Sequence, residues 1–198
     1  GLGQAQIDAG KANYTFDVPG TPLRFLVVDT NAETGGSNGL LHKSHVEKMI
    51  KPALDKAAAE KKWVIVTSHH RVSSIGDGGD IGGKTQPDAF TSKDYIPLLG
   101  SYPNVLFSLV GHSHVHDVHV IGPETGHAFW EVITGSIADQ KHQARIIEIW
   151  DQDDGWLMLR ATSVDYRVDG DPVAEEGRRI SIVDYTSGWG KEGSGTAM

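Results

Sequence analysis

Cysteine is absent from the 198 residues. Disulfides, thiolate metal sites and cysteine nucleophiles are excluded with it. The compartment stays open, because exported chains can lack cysteine too. Basic runs are also missing. The chain has 18 Lys and Arg against 26 Asp and Glu, a formal charge of −8. Neither nucleic acid nor an anionic membrane surface is therefore an expected partner. No stretch approaches the roughly eighteen apolar residues that a membrane span requires, so none is expected. No internal repeat and no separate linker interrupts the chain. Apolar residues at 38% and charged residues at 22% describe a globular domain with a core. The acidic surface does not decide the substrate, because a bound metal can reverse the field locally.

The opening "GLGQAQIDAG" reads as a loop, and the chain is expected to begin inside a longer gene product. "YTFDV" and "LRFLVVD", separated by "PGTP", predict a hairpin. From about Leu41 to Lys61, Val46, Met49, Ile50, Leu54 and Ala58 recur at three- and four-residue steps, which predicts an amphipathic helix. "WVIVTS" (63–68) and "NVLFSLV" (104–110) are short apolar runs, expected as strands buried on both faces. Residues 71–91 form a long polar loop, and "SKDYIPLLG" a short helix. "AFWEVITGS", "ARIIEIW" and "GWLMLRATSV" are expected as successive, mostly antiparallel strands. In the polar, glycine-rich stretch after about Asp169, only "RISIVDY" resembles a strand.

The segment "LVGHSHVHDVHV", residues 109–120, holds four of the ten histidines. Two buried strands end alike, one in His69-His70 and the other in Gly111-His112-Ser113-His114. Ligands of open α/β sheets sit beyond the carboxyl ends of strands. Neighbouring ends would bring His69, His112 and His114 together, and neutral imidazole binds Zn, Mn, Fe or Co. Gly111 is expected to provide the sharp turn that aims two nearby side chains at one centre. A histidine standing alone is ordinarily a polar surface or hydrogen-bonded group. His42, His45, His127 and His142 are read that way, with His45 solvated on its helix. His116 and His119 read as exposed strand positions or as supports for the ligands. Asp29, at a strand end, is expected to hydrogen-bond a neighbouring loop.

"VIVTSHH" and "LFSLVGHSHVHDV" resemble the last two of five motifs of the calcineurin-like metallophosphoesterases. The hairpin and the helix before "WVIVTSHH" match the frame between motifs. "FWEVITGSIADQKHQARIIEIW" resembles a bacterial, often exported, subgroup, which implies a periplasmic or exported location. The implied fold class is α/β: residues 1–168 would be the C-terminal part of a mixed β-sandwich flanked by helices in α/β/β/α layers. Residues 169–198 would be a polar tail. His69 and His112 would bind one metal of a dinuclear pair, and His114 the other, the ions being Fe, Mn, Zn or Co. His70 and Arg71 would lie at the rim and bind substrate. Arg71 stands where the family has proline more often. It could hold phosphate bidentately or form a surface salt bridge.

The family's first three motifs, Asp-x-His, Gly-Asp-x-x-Asp and Gly-Asn-His-Asp/Glu, belong before the hairpin, where only about a dozen residues stand. "GDGGD" (76–80) and "DVH" (117–119) spell two of them out of order, as chance would. Two close cations repel and need a bridging anion, which three neutral histidines do not provide. The expected partner is therefore an N-terminal segment of the same gene product, which would cover an open sheet edge and apolar face. It would bring the carboxylate and Asn ligands and the catalytic histidine, and no catalytic residue is assigned to this chain. The implied reaction is metal-dependent hydrolysis of a phosphomonoester or phosphodiester on a small molecule. The alternatives are a non-catalytic metal-binding or scaffold module and a mononuclear three-histidine hydrolase.

Overall fold

Two apolar runs, "WVIVT" and "VLFSLV", lie side by side at the centre of a six-stranded sheet. The computed structural model describes residues 3–137 and 142–187. Residues 188–198 of the expected tail lie outside the described residues. The chain divides into two compact units, Gly1–Gly111 with Asp117–Ile133, and His112–His116 with Thr134–Met198.

In the first unit a short helix, α1 (Gln4–Ala9), stands where the sequence reads as loop. It precedes β1 (Tyr14–Asp17), β2 (Leu23–Val27) and β3 (Gly39–Leu40). The β1–β2 hairpin pairs Tyr14 with Val27 and Asp17 with Arg24. A helical run follows, α2 (Lys43–His45), a π turn (Val46–Ile50) and α3 (Lys51–Ala59). The π turn has a local cause. Pro52 has no N–H to donate four residues back, and just before it the Lys51 N–H bonds the Val46 carbonyl, five back. Next come β4 (Trp63–Thr67), β5 (Ile75–Gly76), α4 (Ser92–Gly100), β6 (Val105–Val110), β7 (Asp117–Ile121) and β8 (Phe129–Ile133).

The sheet order is β1-β2-β4-β6-β8-β7, parallel from β2 to β8 with an antiparallel strand at each edge. This corrects the expectation for "AFWEVITGS". The chain runs out along β7 and returns as β8 between β6 and β7, so β8 is parallel to β6. Val132 and Ile133 are fully buried there, as a central strand requires. The edge strand β7 agrees with the reading of His119 as a strand position, since polar residues alternate with its valines. One sheet face carries Leu26, Val64 and Val66 against Ile50, Leu54, Tyr95 and Leu99 of the helices. The other carries Phe16, stacked on Phe25 at 4.8 Å, and Phe16 stays 42% exposed.

The second unit holds the hairpin β9 (Ala144–Asp151) and β10 (Leu157–Val164), antiparallel from Leu157↔Asp151 to Val164↔Ala144. It also holds α5 (Pro172–Ser187), and this corrects the strand reading of "RISIVDY". The helix is set by its start rather than by its β-branched middle. The Asp171 carboxylate accepts from the N–H groups of Val173 and Ala174 at 3.0 and 3.1 Å, and Pro172 occupies the first turn.

A charged clamp ties the loops of the first unit. Buried Lys11 pairs with Glu33 at 2.8 Å, and the His42 ring lies between Glu33 (3.2 Å) and Asp88 (2.8 Å). Burial lowers the His42 pKa, but hydrogen bonds to Asp88 and Glu33 outweigh it and raise the value overall. Burial works on Glu33 in the opposite direction, and the Lys11 and His42 contacts bring that carboxyl down to about 2.

Two outcomes follow for urea unfolding. Leu54→Ala, at a site with no exposure, costs about 2–5 kcal/mol, whereas Ile81→Ala, 91% exposed, changes stability by less than about 0.5 kcal/mol. The His42 contribution is whole below the ordinary imidazole pKa of about 6.5 and fades as pH rises through the raised folded value. Wild type should therefore lose stability over that rise, and His42→Gln should flatten the profile. A wild-type profile no steeper than that of the variant refutes the clamp.

Candidate metal and anion site at the strand tips

β4 and β6 are parallel neighbours, with Val66 opposite Ser108 and Thr67 opposite Leu109, so their carboxyl ends share one edge. The ladder continues past both strands. Ser68 N–H donates to the Leu109 carbonyl at 3.2 Å, and Gly111 N–H to the His69 carbonyl at 3.0 Å. His112 is thus one peptide bond beyond a residue hydrogen-bonded to His69. His69 and His70 thus close β4 beside the residue that leads into His112, and imidazole is a side chain that could hold a metal ion.

The three rings differ in what they can offer. His69 is exposed and His112 half-buried. His70 is buried, with Nδ1 2.8 Å from the Thr30 hydroxyl and Nε2 3.2 Å from the Ser37 carbonyl. A carbonyl only accepts, so Nε2 carries the proton and Nδ1 accepts from Thr30. Both ring positions are then in use, and His70 ligates a metal only by giving one up. The sequence reading set His70 at a rim. Here it ties the end of β4 to the loop before β3.

His114, the remaining expected ligand, lies two residues beyond His112. It shares a backbone feature with His112: their φ angles are +57° and +69°. Left-handed conformations are uncommon for residues with a Cβ and cluster at functional sites. This corrects the role given to Gly111. Its φ is not positive, and a Cβ there would meet only the His69 carbonyl at 3.8 Å. The turn is made by the histidines themselves.

Arg71 follows at once. Its Nε donates to Glu131 Oε1 at 3.2 Å, its Nη2 lies 3.1 Å from His119 Nε2, and its side chain is one-third exposed. Glu131 is fully buried and was not singled out from sequence. The signal was a lone acid amid "FWEVI", in a run otherwise fit for burial. His119, read as an exposed position or a ligand support, is half-buried and directly opposite Glu131 across β7 and β8.

The remaining acidic groups brace loops. Asp29 accepts from the N–H groups of Ala12 and Asn31, both at 3.0 Å, as expected of it. Asp80 of "GDGGD" accepts from the Ser37 and Asn38 N–H groups at 2.7 and 2.5 Å. These bonds, that from Asn38 first, hold its carboxyl below the usual range. A Cβ at Gly36, where φ is +107°, would collide with the same carboxylate. Asp117 of "DVH" accepts from Val118 N–H at 2.8 Å.

No family model matches the chain. No curated protein matches it significantly. Among solved structures, one described as "Termus thermophilus Sulfate thiohydrolase SoxB in complex with glycerol" aligns over 88% of this chain at 17% identity and a TM-score of 0.43. The aligned part is 28% of that structure's chain. A likeness of that size assigns no activity. Among the described residues no helix is long and apolar enough to cross a membrane.

Titrating the purified protein with Zn²⁺ or Mn²⁺ separates the roles of these residues. His69→Ala and His112→Ala should each weaken binding at least about tenfold, the scale on which even supporting groups act. His70→Ala should cost about 1–3 kcal/mol of stability through the lost hydrogen bonds. Gly111→Ala should change neither quantity, and a large loss of fold there would contradict the backbone reading.

Proposed function

We propose that this chain carries the histidine side of a metal-dependent phosphoester hydrolase. The observation supporting this most directly is the parallel pairing of β4 and β6, whose adjacent ends lead into His69 and His112. In this reading His69 and His112 bind one ion and His114 contributes to a second. The ions, of Fe, Mn, Zn or Co type, supply Lewis-acid polarisation of a phosphoryl oxygen when bound. Arg71 offers a guanidinium to a phosphate oxygen two residues beyond His69. His70 reaches such an oxygen only by releasing the Ser37 carbonyl. Exposure of His69 leaves the site open to a small-molecule phosphoester.

The three expected ligands, His69, His112 and His114, are all imidazoles. Neutral imidazoles leave the charge of two cations uncompensated. The bridging acid and the proton donor to the leaving group are therefore assigned to an N-terminal segment of the same gene product. An exported location belongs to the same proposal and rests on the motif resemblance. The missing carboxylate also favours a second reading, a metal-binding module without turnover.

The full gene product decides between them. Hydrolysis of a simple aryl phosphomonoester or diester, with about two ions per protein, is expected. His112→Ala should lower kcat at least about a hundredfold, as loss of a preorganised electrostatic group does. One ion and no hydrolysis would instead establish the module.

A further inference from the structure

Glu131 is a carboxylate in the middle of a central strand with no exposed surface, where an unpartnered charge would not be tolerated. Its donors come from β6 and from the loop after β4, and His119 of β7 lies beside it. Oε2 accepts from the Val72 N–H at 2.8 Å and weakly from Ser108 Oγ at 3.4 Å. Oε1 faces Arg71 Nε at 3.2 Å and His119 Nε2 at 3.1 Å. Ser108 and His119 are the residues in register with Glu131 on β6 and β7. One carboxylate therefore holds both the side chain of residue 71 and the main chain of residue 72.

His119 completes the grip. Its Nε2 cannot donate to Glu131 and accept from Arg71 at once. With Nδ1–H toward Asp117 at 3.4 Å, Nε2 accepts from Arg71 Nη2 at 3.1 Å. The side edge of the guanidinium, Nε and Nη2, is thus turned inward. The planar group has a second edge, formed by Nη1 and the outer hydrogen of Nη2, suited to two oxygens of one anion.

The geometry points to Glu131 as the positioning residue that aims this outer edge of Arg71 at a phosphate oxygen beside His69, with His119 as a second stop. This rests on the reading of the strand tips as a phosphoester site. It predicts an unusual sign. Removing the charge of Glu131 makes the site more positive, so simple electrostatics would tighten anion binding. Loss of positioning weakens it.

The test is calorimetric titration of inorganic phosphate into the metal-loaded full gene product, as wild type, Glu131→Gln, Arg71→Lys and the double variant. Each single change should weaken phosphate binding about tenfold, the loss of one charge-assisted contact. The double should be no weaker than either single, because both remove one device. Metal affinity should stay unchanged. Equal or tighter phosphate binding by Glu131→Gln overturns the inference, as do losses that multiply in the double variant. A purely structural role would lower the melting temperature without moving phosphate affinity, and that result also overturns it. If Glu131→Gln does not fold, His119→Ala replaces it in the cycle, and zero coupling to Arg71→Lys overturns the inference. Wild type that binds metal but no phosphate overturns both this inference and the phosphoester reading. Wild type and variants that bind phosphate alike overturn this inference alone.

Discussion

The parallel ladder between β4 and β6 is the constraint from which the rest of the site follows. Parallel strands send their carboxyl ends to one edge of the sheet. The bonds from Ser68 N–H to Leu109 and from Gly111 N–H to His69 carry that pairing beyond the regular strands. Two sequence-distant histidines, His69 and His112, thereby follow adjacent strand ends. Register also matters. Both faces of these strands are buried, so a one-residue slip would exchange the side chains packed on the two sides, and the core fixes the tips together with the ladder.

Buried polar groups then decide which neighbours of the tips can act. His70 is adjacent to His69 yet has another task, because Thr30 and Ser37 use both of its ring nitrogens. Asp80 grips the same loop through Ser37 and Asn38. Glu131 does the corresponding work on the far side, through Val72 and Arg71. In each case a buried or bonded polar atom fixes a loop that would otherwise be free to move, and leaving it unpaired would cost stability. The long loop after β4 is thus restrained near the site by the two residues that follow His70.

His112 and His114 add a different kind of constraint. Both adopt left-handed backbone, a conformation that glycine would adopt at less cost. Stability alone would favour glycine at either position. Lys61, His142 and Asp153 adopt the same backbone conformation elsewhere in the chain.

Much of this architecture was legible in the chain itself. The hairpin, the amphipathic helix and the two central strands follow from apolar periodicity, and the two histidine-bearing strand ends follow from order along the sequence. The Asp29 brace was readable from its place at a strand end. Other features were not. The segment "RISIVDY" is β-branched yet helical, because the Asp171 cap and Pro172 start a helix that its local propensity does not oppose strongly enough. Glu131 is one acid among apolar residues, and nothing local says that Ser108 and His119 will flank it. Sequence determined which residues could be buried and which ends bear imidazoles, since burial and periodicity are local properties. Only tertiary pairing decided that His70 is occupied, that the turn falls on His112 and His114, and that Arg71 is aimed by Glu131. Those outcomes depend on partners between 33 and 60 residues away, brought close by strand register.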